Sequence, residues 1–271
     1  MRRTPAWACA AYFLAGVALS GGPPAGRVPV LVELFTSEGC PDCPEADHVL
    51  EKLDREQPVY GAEVIVLSEH VDSFNGLGWA DPFSLPLFLE RQREYADLLK
   101  GDLAWRKKVS APNVIVDGSI GFPGGDQGDA ERAVRQALKS PKAAIRIDVQ
   151  RHGGSARISL HMDQPPDGTL YLALARGAVE SNVQRGPNAG RVLSRVAVAY
   201  SLREVAYRRD VTVKLQPDSR IVAFVEKAGD GSVDDAVSLS EKLLHKPIGH
   251  KGLGRVTAIG QARYPDSEPV E

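Results

Sequence analysis

Excess positive charge, long apolar runs, internal repeats and cysteine are all absent or scarce in this sequence, and each shortage excludes a class of protein. The 33 Lys and Arg are balanced by 35 Asp and Glu, a formal net charge of −2 over 271 residues. There is therefore no basic footprint for nucleic acid or anionic lipid. The strongest apolar run, Ala6 to Leu19, falls short of the roughly 20 residues that a membrane-spanning helix needs. No repeat recurs, which excludes solenoids and propellers. Only three cysteines occur, Cys9, Cys40 and Cys43, too few for a disulfide framework or for a second C-x-x-C beside the first.

What is present starts with a charged and apolar amino terminus. Arg2 and Arg3 precede the apolar run, and small, turn-forming residues follow from Ser20 to Gly26. This order reads as a secretory signal peptide over residues 1–26, cleaved between Gly21 and Arg27. No cysteine follows the apolar run, so a lipid anchor is not expected. The expected product is periplasmic or secreted and keeps no membrane span after cleavage. Cleavage would also remove Cys9, leaving Cys40 and Cys43 as two thiols in an oxidising compartment.

The first half of the mature chain alternates strand and helix. Val28 to Phe35 reads as a buried strand, and a helix follows the C-x-x-C with Ala46, Val49, Leu50 and Leu53 on one face. Gln57-Pro58 ends it, and Val64 to Leu67 forms a second buried strand, which makes a βαβ unit with a parallel sheet. Ser84 is expected to cap a helix reaching about Lys100, within a helical insertion over about residues 72–109. Ala111-Pro112 introduces a strand at Asn113 to Val116, Asp117-Gly118 marks a tight turn, and Asp126 is placed to cap a last helix.

Beyond Pro141 the helical period disappears. Ile145, Ile147 and Val149, then Ile158, Leu160 and Met162, then Leu170, Leu172 and Leu174 alternate with polar residues. Further strands are expected at residues 192–200, 205–207, 211–215 and 221–225, which together suggest an antiparallel sandwich. A short helix is expected at residues 234–244 and a partly disordered tail over 229–271. The fold class read from this pattern is an α/β thioredoxin-like domain (27–140) with a helical insertion, followed by an all-β sandwich-like domain (141–228).

A C-x-x-C placed after a buried strand and before a helix has a chemical purpose. The unpaired N–H groups and dipole of the helix start stabilise a thiolate. Cys40 is then the attacking sulfur, and Cys43 closes the disulfide and releases a mixed-disulfide partner. Pro41 suits the first helical turn. A purely structural bond is the weaker reading, because so small a loop removes little chain entropy. A soft metal held with His48 or His70 is the other alternative, although neither histidine has a standard ligand spacing to the cysteines. Pro112, before a strand and after the βαβ unit, fits a proline facing the disulfide, with the Ala111 backbone offered to an extended substrate chain. Glu33 and His70 are candidate proton relays. Glu38, Asp42, Glu45 and Asp47 surround the pair, and their field would oppose the helix dipole and make the pair a weaker oxidant.

Residues 32–47, VELFTSEGCPDCPEAD, resemble the bacterial exported thioredoxin-like family catalogued as domain of unknown function 1223. HVD at 70–72, GWADPF at 78–83, RQREYA at 91–96, APNVIVDG at 111–118 and GPNAGRVL at 186–193 agree in the same order. The chain departs from the family pattern at Ser73-Phe74-Asn75, at Pro187 and near Arg195. The resemblance implies the two-part fold given above and the C-x-x-C as its centre.

Sequence alone thus points to an exported thiol–disulfide oxidoreductase acting on protein thiols, with an unidentified partner that recycles the pair. No cofactor, resident metal or nucleic acid enters this reading. The alternative is a copper-binding or partner-binding thioredoxin-like module without redox turnover.

Overall fold

The computed structural model describes residues 26–99, 109, 111–142, 144–240 and 255–259. The expected signal peptide therefore lies almost wholly outside the described residues. Strand β1 (Val28–Thr36), helix α1 (Cys43–Glu56) and strand β2 (Ala62–His70) form the expected βαβ unit, with β1 and β2 parallel from Val28↔Ala62 to Thr36↔His70. Helix α1 buries Ala46, Val49, Leu50 and Leu53, the apolar stripe of its sequence. Gln57 ends it in a left-handed conformation, φ 49°. Its side-chain amide bonds both the N–H and the carbonyl of Val64, tying the helix end to β2.

A short 3-10 turn at Asn75–Leu77 leads to helix α2 (Pro86–Leu98). This helix begins one residue later than a Ser84 cap would place it and has no side-chain cap. Ser84 instead donates to the Asp81 carbonyl and accepts from Asn75, so it closes the preceding loop. Strands β3 (Asn113–Val116) and β4 (Ile120–Pro123) form a hairpin about Asp117 and Gly118, both at positive φ. Helix α3 (Gln127–Ala137) is capped as expected, with the Asp126 carboxylate accepting from the Asp129 N–H at 2.7 Å. Asp126→Ala should lower unfolding free energy by about 1 kcal/mol in denaturant titration; an unchanged midpoint would show that the cap contributes nothing.

The second half contributes β5 (Arg146–His152), β6 (Ser155–His161), β7 (Gly168–Asn182), β8 (Val192–Glu204), β9 (Val211–Lys214), β10 (Ser219–Lys227), β11 (Val233–Ser240) and β12 (Arg255–Ile259). Eight strands form one mixed sheet, in the order β11-β10-β7-β8-β2-β1-β3-β4. A small antiparallel sheet, β5-β6-β9 with β12 beside β5, forms a second layer. The two layers share a core in which Ile147, Ile158 and Val213 meet Leu172, Ile221 and Ala223.

The second half is not the separate antiparallel sandwich that the alternation suggested, because its larger layer belongs to the mixed first-half sheet and only the small second layer is all antiparallel. Strand β8 pairs in parallel with β2 at Ser68↔Val198. Val233 at the start of β11 donates to the Asp117 carbonyl. A Cβ on Gly118 (φ +62°) would collide with the Gly231 carbonyl, so that turn needs glycine on two counts. The change of pattern near residue 140 does not mark a break in the hydrogen-bonded sheet. The reason is that an edge strand of a βαβ unit has free N–H and C=O groups, and β8 takes them. Residues 205–207 form no strand, and the helix expected at 234–244 is strand β11 as far as Ser240; the rest of that stretch lies outside the described residues.

Alternation along β1 separates two interiors. Leu34 packs with Ala46 of α1, whereas Phe35 packs with Phe88 and Tyr95 of α2, so the two helices cover opposite faces of β1. Among the described residues no helix is long and apolar enough to cross a membrane.

Candidate active site

Cys40 and Cys43 are joined in a disulfide, with Cα atoms 5.4 Å apart. The turn before α1 begins at Ser37, whose carbonyl accepts from the Cys40 N–H. Cys43 is the first residue of the helix and Asp42 its N-cap position. Pro44, rather than Pro41, occupies the first helical turn, where its missing N–H costs nothing. The Cys40 sulfur lies 3.5 Å from the Ala111 carbonyl oxygen, and the Ala111-Pro112 peptide is cis. Pro112 and Ala46 leave no space for a Cβ on Gly124, so β4 closes tightly over this corner. The structure thus brings Cys40, Cys43, Ala111 and Pro112 together.

It separates Glu33 from them. Thr36 shares the α1 face of β1 with Leu34, and its hydroxyl donates to Asp47 at 2.9 Å. Glu33 lies on the other face, where its carboxylate accepts from Arg91 Nε at 2.8 Å and from the Tyr95 hydroxyl at 2.7 Å. Glu33 therefore lies on the face of β1 away from α1, because strand side chains alternate between faces and the even-numbered positions at this end of β1 meet α1.

The acid on the correct face is Asp47, four residues after Cys43 and hence on the same side of α1. It is 5 % exposed. Burial pushes its carboxyl up to about 6, although His70, Arg195 and the Thr36 hydroxyl pull the other way. Desolvation wins because removing a carboxylate from water penalises its charge more than these neighbours offset. A carboxyl titrating near neutrality can take up or release a proton at physiological pH.

His70 is fully buried, with Nδ1 2.7 Å from Asp81 Oδ2 and its ring edge-on to Phe83. Burial works against the charge of Asp81, but His70 and the N–H groups of Glu38 and Phe83 outweigh it and hold the carboxyl below its ordinary range. With an ionised acceptor on Nδ1, that nitrogen carries the proton, and Nε2 has no hydrogen-bond partner. His70 is thus an oriented imidazole beside Asp47.

Glu38 is neutralised rather than solvated. Its carboxylate accepts from Trp79 Nε1 at 2.6 Å, and from Ser181 and Arg195 through short hydrogen bonds. Arg195 is 1 % exposed and also lies over the Phe83 ring. Asp42 and Glu45 are exposed and remain in high dielectric. Of the four acids whose field was expected to oppose the helix dipole, one is ion-paired, one is pushed towards its neutral form and two are screened by water.

Asn188, at the tip of the β7–β8 hairpin, reaches across from the second half. Its side-chain amide donates to the Glu38 carbonyl at 2.9 Å and to the Cys40 carbonyl at 2.8 Å, while Arg191 donates to its oxygen. Ser181 has no sequence signal of its own, Arg195 only as a departure from the family pattern, and Asp81 only its place in the GWADPF stretch. Asn188 and Arg191 had one in the GPNAGRVL stretch, and Glu38 and Asp47 in the C-x-x-C stretch, but none of these pointed to its partners. His48 is exposed near Glu51. Among the described residues no three His, Cys, Asp or Glu side chains are gathered for a metal.

A mixed α/β sheet with a C-x-x-C disulfide at the start of its first helix, covered by a hairpin from the same sheet, defines the class of protein. Residues 31–229 match the model of the family described as protein of unknown function DUF1223, and the chain belongs to that family. It is similar in fold to the crystal structure of protein AGR_C_4864 from Agrobacterium tumefaciens, with a TM-score of 0.54 and 24% identity over 79% of this chain and 94% of that one. The search of curated proteins returned no match.

Proposed function

We propose that this protein is an exported thiol–disulfide oxidoreductase acting on protein thiols through Cys40 and Cys43. The observation that carries the reading is the helix-start disulfide set against the Ala111-Pro112 corner, with the Ala111 carbonyl 3.5 Å from the Cys40 sulfur. A helix-start disulfide facing a proline after a βαβ unit is the arrangement of a thioredoxin-type centre, and the preceding backbone can pair with an extended substrate.

In the reducing direction the Cys40 thiolate attacks one sulfur of a substrate disulfide and forms a mixed disulfide, and the other substrate sulfur leaves as a thiolate that takes a proton. Asp47 accepts the Cys43 proton, and Cys43 attacks the Cys40 sulfur. The second substrate thiol leaves, so two electrons pass to the substrate and the disulfide seen here is restored. Oxidation of substrate thiols runs the same steps in reverse. His70, held by Asp81 through Nδ1 and with Nε2 unpartnered, is placed beside Asp47 for the onward proton transfer. The basic–apolar–small order of residues 1–26 supports export, and with it an oxidising compartment.

A Cys43→Ser variant should accumulate mixed disulfides through Cys40, identifiable by mass spectrometry after trapping. Insulin reduction or thiol oxidation that persists unchanged in Cys40→Ser would refute the reading.

A further inference from the structure

Both sulfurs of the disulfide are out of reach in this structure. Cys40 is 1 % exposed and Cys43 0 %, although a sulfur that exchanges with a partner must meet it in line. Three segments enclose the pair. The Ala111-Pro112 corner lies against Cys40. Phe74 sits over the Gly39 backbone so closely that a Cβ there would meet its carbonyl oxygen at 2.9 Å. The tip of the β7–β8 hairpin, residues 183–191, completes the cover, with Asn188 itself 1 % exposed.

The hairpin is anchored differently at its root and its tip. At the root, Ser181 and Arg195 bind the buried Glu38 carboxylate, a charge-assisted cluster that is costly to break. At the tip, the hold on the dithiol turn comes from Asn188, whose two neutral hydrogen bonds reach the Glu38 and Cys40 carbonyls. Gly186, at φ +79°, lies against the insertion loop, where a Cβ would come 3.1 Å from Trp79 Cβ and 3.2 Å from the Leu77 carbonyl. The tip is therefore a fitted contact on a stiff hinge: the strong bonds stay and the weak ones release.

We propose that the tip of the β7–β8 hairpin is a gate over the Cys40–Cys43 disulfide and that Asn188 is the positioning residue that latches it. The gate deepens the oxidoreductase reading, since it decides which partners reach Cys40. A partner strand that pairs beside Pro112 and takes over the Glu38 and Cys40 carbonyls replaces the Asn188 amide. A small thiol waits for spontaneous opening.

The test uses reduction of the folded, oxidised chain by dithiothreitol at fixed pH. Two electrons and two protons pass from the reagent to Cys40 and Cys43, and the reagent cyclises to its own disulfide. No protein substrate is involved, so the outcome is separate from whether the protein turns over protein thiols. For the unaltered chain the rate should level off at high dithiothreitol, at the opening rate of the gate. In Asn188→Ala it should rise roughly ten- to thirty-fold, the effect of two ordinary hydrogen bonds on an opening equilibrium. Low urea should change either rate little, as expected for local rather than global opening. Gly186→Ala, which pushes the tip off Trp79 while keeping Asn188, should also accelerate reduction and serves if Asn188→Ala does not fold. Rates that stay proportional to dithiothreitol and equal in all three proteins would overturn the gate, as would acceleration that tracks global unfolding in urea.

Discussion

Replacing Arg91 by Met should destabilise the protein by about 3 to 5 kcal/mol, the loss typical of a buried charge cluster that keeps its anions and loses its cation. Arg91 is 5 % exposed and bonds Glu33, Glu226 and the Tyr95 hydroxyl. Its guanidinium also lies over the Tyr95, Tyr171 and Phe224 rings at 4.8 to 5.2 Å. Burial works against this cation, but Glu33, Tyr95, Glu69 and Glu226 outweigh it and hold it protonated. Burial first, and the nearby Glu33 charge second, push the Glu69 carboxyl well above its ordinary range. Without Arg91 the remaining carboxylates can only protonate, and the loss should shrink as pH falls. Urea titration at pH 5 and pH 8 measures it, and Glu33→Gln combined with Arg91→Met should recover part of it. A loss below about 1 kcal/mol at pH 8 would mean that the cluster is solvated in solution. The cluster joins α2 to β1 and β10, so its effect is on cohesion of the sheet rather than on the dithiol.

The second large effect is expected from Asp47→Asn. Burial pushes the folded carboxyl up to about 6 from its ordinary value of 3.8. Between those values the folded state keeps the proton and the unfolded state has lost it. Stability therefore falls as pH rises through this window, and is lowest above the folded value. The difference amounts to on the order of 3 kcal/mol. Asparagine keeps the acceptor for the Thr36 hydroxyl and cannot ionise. At pH 8 the variant should be the more stable protein by roughly that amount, and near pH 4 the two should converge. Its thiol exchange should at the same time slow by about a hundred-fold above neutrality, the lower end of the usual range for a lost general base. Equal pH dependence of stability in the two proteins would place the carboxyl in solvent. Equal exchange rates would remove Asp47 from proton transfer while leaving the stability argument intact.

The local steps of the fold were legible in the residues. The stripe of Ala46, Val49, Leu50 and Leu53, the Asp126 cap and the Asp117-Gly118 turn all specify structure within a few positions, where propensity and period act. The position of the C-x-x-C at a helix start and of Pro112 before a strand followed from the same local signals. Glu33 and Asp47 show where such reading stops. Both are acids near the dithiol in sequence, and a one-residue difference in strand phase decides which interior Glu33 enters.

Sequence by itself thus determined the paired thiols, the βαβ unit that carries them and the alternating strands that follow. Only the tertiary structure decided that β8 continues the first sheet through β2, and that the hairpin it forms with β7 lies over Cys40. Period and propensity act over neighbouring residues, whereas Glu38 and Arg195, or Cys40 and Asn188, lie about 150 positions apart. Their contacts arise from strand order, which no local pattern encodes. Buried polar side chains then had to find partners wherever that order placed them.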